Sequence, residues 1–323
     1  MDSTYASQSK TAIHTKNQTH PKPRRKRWNT EDAVAVLMLA PKFIIFSAFV
    51  LYPIFWVLRF MFFNFNGISD ATFVGFDNFV RAFMRDPIWW RAVGNTFVFA
   101  TGKLVIEIPL ALVLAVFLNS KIKGKGLLRG AFFLPTVTSA AVMSLVFTFI
   151  FSPYNGALNN ALKGLNLIDS NVLWLDTPAM AMISVIIVSI WQIYGQNVIL
   201  LLAGLQNIPS DVEESAKIDG ANSVQIFFKI TLPMLAPMLQ LILMLAITGT
   251  LASAEIPMVL TNGGPNNATT VMGLQIFRQF FLTTGLPSYG YGAALAFISA
   301  CIIGMFTIVY FRVSRKMNYM EEQ

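Results

Sequence analysis

Long runs of Leu, Ile, Val, Phe and Met alternate along this chain with shorter polar stretches. Crossing ~30 Å of hydrocarbon takes about 20 mostly apolar residues in a helix. Six runs meet that length: Val34–Met61, Asn95–Asn119, Ala131–Phe151, Met180–Leu205, Met234–Leu260 and Gly292–Phe311. A closed β-barrel is the other backbone arrangement that satisfies itself in lipid. It needs short alternating segments, whereas these runs are continuous. The pattern therefore predicts an all-α membrane protein with six transmembrane helices. The first run is no cleavable signal, because about thirty mainly polar residues precede it and its length exceeds the roughly 7–15 apolar residues of a signal core.

Composition narrows the picture further. Of 323 residues, 55% are AVILMFWYC and only 12% are charged, against roughly a quarter charged in soluble proteins. Mean hydropathy is +0.58. So few polar side chains cannot clothe a water-facing surface, which argues against soluble domains and against a disordered chain. Cys301 has no second cysteine to pair with, and His14 and His20 both lie in the N-terminal tail, so neither a disulfide framework nor a histidine metal cluster is expected.

Sorting the basic residues explains the net charge of +8. Of 24 Lys and Arg, 16 fall on one predicted side: the tail before the first span, the Lys121–Arg129 loop, Lys217 and Lys229, and the C-terminal end. Five fall on the other side and three lie within or at the edge of spans. The positive-inside rule then places both termini in the cytoplasm. Arg24–Arg27 reads as an orientation and headgroup anchor. Nucleic-acid binding is the alternative, but no aromatic interleaving or binding fold accompanies the cluster. Residues 1–29 are expected to be a disordered basic tail, 30–316 the membrane domain, and 317–323 a short cytoplasmic tail.

One cytoplasmic loop differs from the rest. Residues 209–233 carry Asp211, Glu213 and Glu214 in the first turn of a predicted helix that Ser210 can cap. Gly220 supplies a stop, Asn222 or Ser223 starts a second helix with Val224, Phe227 and Phe228 near one face, and Pro233 is expected to end it. The loop reads either as a docking element for another protein or as an amphipathic connector lying in the headgroups.

Glu214-Ser215-Ala216-Lys217-Ile218-Asp219-Gly220-Ala221, followed by Phe228, Ile230, Leu232-Pro233 and Pro237, resembles the "EAA" loop of permease subunits in binding-protein-dependent ABC importers. Ser215 stands where the motif has an alanine. Val259–Pro265 resembles the "LTNGGP" stretch of carbohydrate permeases, and Phe73–Phe79 their "FVGLDNY" segment. The resemblance covers about residues 34–316 and points to the maltose-permease-like family, with a type I importer permease fold.

The resemblance implies that the loop lodges in a cleft of a cytoplasmic ATPase. Glu214 would make the charged contact with Asp219 in support, Gly220 the turn, and Ala216 and Ala221 the close approach, with Ser215 small enough to leave the packing undisturbed. It also implies a second, non-identical permease by the habit of carbohydrate systems, two ATP-binding subunits, an extracytoplasmic solute-binding protein and a bacterial cytoplasmic membrane. ATP and Mg²⁺ belong to the partners, since this chain has no GxxxxGK[ST] loop; it is expected to be neither an enzyme nor a cofactor carrier.

Polar residues within spans are costly in lipid and mark a path or an interhelical bond. Candidates for the substrate path are Ser189, Trp191, Gln192, Tyr194, Gln196 and Asn197 in the fourth run, and Thr250, Ser253 and Glu255 in the fifth. Gln192 and Gln196 are spaced to share a helix face, and amides beside aromatic rings suit a sugar. The maltose-type subunit is asparagine-rich where this chain has Thr250 and Ser253, so the same sugar is not implied. Lys103 and Glu107 are spaced as an i,i+4 ion pair, whereas Glu255 has no cation at helical spacing. Either acid also supports an alternative class, an ion-coupled secondary transporter, although the internal repeats expected of that class are absent from the sequence.

Overall fold

The computed structural model describes residues 30–120, 122–282 and 285–321. The expected tail 1–29, with its Arg24–Arg27 cluster and both histidines, lies outside the described residues, as do Lys121 and the last two positions. The chain divides into two compact units, residues 1–54 and 55–323.

In the first unit, α1 (Thr30–Phe46) runs into a π-helical turn at Ser47–Leu51. From Val34 to Ile54 every residue except Ala40 is exposed. The apolar run that begins here, Val34–Phe62, is long enough to span, and none of its central window is buried. A helix this apolar on all sides is at home only against lipid or another chain.

The second unit begins within α2 (Tyr52–Arg59) and continues through a 3₁₀ turn at Phe60–Phe62. Strands β1 (Phe63–Asn64) and β2 (Thr72–Phe73) pair antiparallel, with Phe63 opposite Phe73. The short helix α3 (Asp77–Val80) holds Asn78, whose amide donates to the Met61 and Phe63 carbonyls at 2.9 and 3.0 Å. Helix α4 (Pro87–Asn119) starts well before the expected Asn95. Asp86 caps it by accepting from the Ile88 and Trp89 amides, both at 3.0 Å, and Pro87 occupies the first turn, where its missing N–H costs nothing.

The third apolar run does not form one span as expected. It is α5 (Lys125–Val137) and α6 (Ala140–Ile150), bent by 97°. Thr138 and Ser139 have ψ of 136° and 135°, so both leave the helix and no regular ladder crosses the break. Beyond it lie α7 (Ala157–Gly164) and α8 (Pro178–Gln206). The next segment holds α9 (Ser210–Ile218), α10 (Ser223–Ile226) and α11 (Leu232–Ala252). Contrary to expectation, Pro233 ends nothing: α10 passes through a π turn at Phe227–Thr231 directly into α11, where Pro233 sits in the first turn.

The fifth run also breaks early. Ser253 is extended at ψ 143°, ending α11, and α12 (Glu255–Thr261) starts anew. Two further helices follow, α13 (Met272–Phe277) and α14 (Tyr289–Glu321), the latter continuing past the expected Phe311. Among the described residues, five helices are long and apolar enough to cross a membrane, and the bent α5–α6 pair makes a sixth candidate.

Helix α8 is the centre of the second unit. Of its most apolar window 61% is buried, against 28% or less for the other spans. Val185, Val188 and Leu201 pack with Ala111, Ala115 and Leu118 of α4 and with Leu235 and Ile242 of α11. Small residues set these approaches. A Cβ on Gly195 would strike the Phe132 carbonyl oxygen of α5, and one on Gly204 would meet the Leu235 and Met238 side chains.

Candidate functional site

Two sites emerge, beginning with the α9–α10 loop. Pro209, not the expected Ser210, occupies the cap position of α9; Ser210 lies in the first turn, 3.4 Å from the Asp211 carboxylate. Asp211 and Glu213 sit at the positive end of the helix macrodipole. The helix stops in a Schellman motif: the Ala221 amide donates to the Ala216 carbonyl at 2.9 Å and the Gly220 amide to Lys217 at 3.1 Å. Gly220 has φ +84°, a conformation that costs a residue with a Cβ about 1–2 kcal/mol.

Asn222 then starts α10 with a reciprocal capping box: its side chain accepts from the Gln225 amide, and the Gln225 side chain accepts from the Asn222 amide, both at 2.9 Å. Ala216 of α9 and Ile226 of α10 are buried. Outward, Glu214, Ser215, Asp219 and Gly220 are exposed, Ala221 is half-buried, and Ile218, Val224 and Phe228 stand 86%, 65% and 61% exposed. The loop thus presents carboxylates interleaved with bare apolar side chains.

The second site is a cavity of about 230 Å³ between α4, α8 and α11. Of the expected path residues it collects Ser189, Gln192, Gln196, Asn197, Thr250 and Ser253. Gln192 and Gln196 share its wall, as their spacing predicts. Lys103 and Glu107 enter from α4, so the expected ion pair forms, at 3.0 Å. Both are buried, Glu107 completely. Lys103 also donates to the Thr250 hydroxyl at 2.8 Å, and the Asn197 amide donates to Glu107 at 2.5 Å. One network therefore ties three helices together and lines the cavity. Ser189 spends its hydroxyl on the Val185 carbonyl of its own helix, at 2.7 Å.

Three candidates lie off this wall. Trp191 and Tyr194 belong to an aromatic cluster with Phe132 and Phe147, ring centres 6.0–6.5 Å apart. Glu255 is exposed in the first turn of α12, because the break at Ser253 removes it from the α11 face. Lys103 was visible in the sequence only as a partner for Glu107. Phe99, Gly249 and Ile256, which also line the cavity, carry no chemical signal in sequence.

The expected turn Asn262–Pro265 forms with Asn262 and Gly263 at positive φ. The Arg278 guanidinium donates to the Asn262 carbonyl at 2.5 Å and to the Asn267 side chain at 3.0 Å, and burial pulls its pKa below the ordinary arginine value. Asn95 of α4 donates to the Asn267 and Thr270 carbonyls at 2.8 and 3.0 Å, fastening this turn to the bundle.

The profile of the family described as "Binding-protein-dependent transport system inner membrane component" matches residues 107–319, from Glu107 through the α9–α10 loop and α14. The chain belongs to that family. It is 36% identical to the multiple sugar-binding transport system permease protein MsmF of Streptococcus mutans over 84% of this chain and 91% of that one. It is 34% identical to the lactose transport system permease protein LacF of Rhizobium radiobacter, over 88% and 95%. The crystal structure of a bacterial ABC transporter importing the acidic polysaccharide alginate has a chain with TM-score 0.75 at 26% identity, covering 88% of this chain and 96% of its own. The same kind of transporter in complex with its alginate pentasaccharide-bound periplasmic protein gives 0.76 at 25% identity. The protein is thus a multi-pass membrane permease subunit of an ABC transport system, of a family distinct from the ATPases. The ion-coupled alternative finds no support: Glu107 is held by Lys103 and Asn197 in the bundle, and the relatives are permeases of binding-protein-dependent systems.

Proposed function

We propose that this permease imports a saccharide, an oligosaccharide in particular, across a bacterial cytoplasmic membrane, with both termini in the cytoplasm. The observation that carries this reading is the polar cavity, which gathers amides and hydroxyls from three helices of an otherwise apolar bundle. The sugar permeases among its relatives lend it weight. The cavity is smaller than the roughly 300–1,000 Å³ of a complete small-molecule site, in keeping with a pathway shared with a second, non-identical permease. Two ATP-binding subunits supply the energy, ATP and Mg²⁺ stay with them, and an extracytoplasmic binding protein delivers the sugar.

Coupling follows from the helix geometry. Glu214 engages a cleft of the ATPase, with Asp219 beside it and the bare Ile218 and Val224 side chains as apolar contacts. Ser215, Ala216 and Ala221 keep the approach close, and Gly220 holds the turn. From Ser223 the chain is helical without a break to Ala252, so a displacement of the loop reaches Thr250 along a single rod. Thr250 holds Lys103, which brings the motion to the cavity.

Uptake in proteoliposomes should require both the ATPases and the binding protein and be abolished by Glu214→Lys. Uptake driven by a proton gradient without ATP would overturn the proposal.

A further inference from the structure

We propose that the Lys103–Glu107 pair determines specificity, making the cavity accept uncharged saccharides and turn away those bearing a carboxylate. This rests on the saccharide reading above and adds the substrate class.

Charge balance is the first argument. Lys103 and Glu107 are the only formally charged residues lining the cavity among the described residues, so its net charge is zero. Hydrogen-bonding capacity is the second. The ammonium has three donors and a carboxylate about four acceptor positions. Lys103 donates to Thr250 and lies 3.0 Å from Glu107 Oε2 as an ion pair, while Glu107 Oε1 accepts from Asn197 and its buried Oε2 has no hydrogen-bond partner among the described residues. Ammonium donors and carboxylate lone pairs therefore remain for a ligand. The side-chain amides of Gln192 and Gln196 stand on the same wall and have no protein partner among the described residues.

A sugar hydroxyl suits this arrangement because it accepts from Lys103 and donates to Glu107 at once, leaving the pair intact. A uronate carboxylate competes with Glu107 for the ammonium, and whichever carboxylate loses is left buried and uncompensated. No arginine lines the cavity to hold a second carboxylate in bidentate fashion. The arrangement thus favours a neutral substrate even though a structural relative is an alginate importer.

The test uses the assembled transporter with its ATPases and binding protein in proteoliposomes. The probes are a neutral trisaccharide and its counterpart with one hydroxymethyl oxidised to a carboxylate, both chosen to be bound by the binding protein. Because that protein is common to every arm, its own preference cancels from changes in the uptake ratio. The wild type is expected to favour the neutral sugar at least tenfold. Glu107→Gln, which leaves Lys103 unbalanced, should cut neutral uptake about tenfold and raise the uronate-to-neutral ratio about tenfold. The double variant Lys103→Met with Glu107→Gln restores neutrality in the bundle, so it keeps the assembly folded if the single variant does not. It should lose neutral uptake without gaining uronate uptake. Equal wild-type uptake of both probes, an unchanged ratio in Glu107→Gln, or full neutral uptake in the double variant would each overturn the proposal. A wild-type complex that carries a non-saccharide solute but no sugar at all would instead sink the saccharide reading beneath it.

Discussion

Between Pro209 and Ile226 the loop is satisfied almost wholly from within. Its stop bonds run from Ala221 to Ala216 and from Gly220 to Lys217, and its capping box joins Asn222 to Gln225. The cavity is assembled from afar: Lys103 meets Thr250 across 147 positions and Asn197 meets Glu107 across 90. A locally closed motif keeps its shape whatever it docks against. A network that spans three helices changes when any one of them moves, which suits the substrate-path role proposed for it.

The contrast can be broken at its strongest point by Lys103→Met, which strands a buried carboxylate. It should destabilise the assembled protein by about 3–5 kcal/mol, read from denaturant or thermal unfolding in detergent, and adding Glu107→Gln should recover most of that loss. If Lys103→Met alone leaves stability unchanged, the network is not an element of the bundle.

The loop should respond in function and not in stability. Reversing the exposed Glu214 charge to Lys should cost roughly 3–4 kcal/mol of coupling, at least a hundredfold in ATP-driven uptake. The unfolding midpoint should stay within experimental scatter, and a marked fall would mean that Glu214 is structural.

Smaller effects sharpen the two regions separately. Gly195→Val forces a side chain against the Phe132 carbonyl of α5 and should cost ~1–3 kcal/mol of stability. Cross-linking between α5 and α8 would report the separation. At Gly220, substitution by Ala demands a left-handed conformation and should cost about 1–2 kcal/mol, confined to the loop by hydrogen exchange. Asn222→Ala removes half the capping box and should cost ~1 kcal/mol, seen as faster exchange of the Gln225 amide.

The unequal legibility of the two regions follows from the same difference. The loop could be read because glycine at a left-handed stop, asparagine at a helix start and acids in a first turn are local choices at fixed spacing. Even there Ser210 misled, since Pro209 takes the cap, and Pro233 misled, since the π turn before it admits the ring without ending the helix. In the bundle the 131–151 run is long enough for one span, and that length outweighed the polar dip at Pro135, Thr136, Thr138 and Ser139 where the 97° bend falls. At Ser253 the chain leaves α11, which moves Glu255 away from Thr250.

What the sequence alone determined was the membrane class, most of the span positions, the Lys103–Glu107 pairing and the stop and start signals of the α9–α10 loop. Each depends on the length of an apolar run or on residues within one helical turn of each other. Tertiary structure alone decided that Thr250 and Asn197 meet that pair, that Trp191, Tyr194 and Glu255 stand off the cavity wall, and where two runs break. Those outcomes depend on how α4, α5, α8 and α11 rotate and approach, set by small residues such as Gly195 against α5 and Gly204 against α11 and by the packing of α8, and so on contacts that no local spacing encodes.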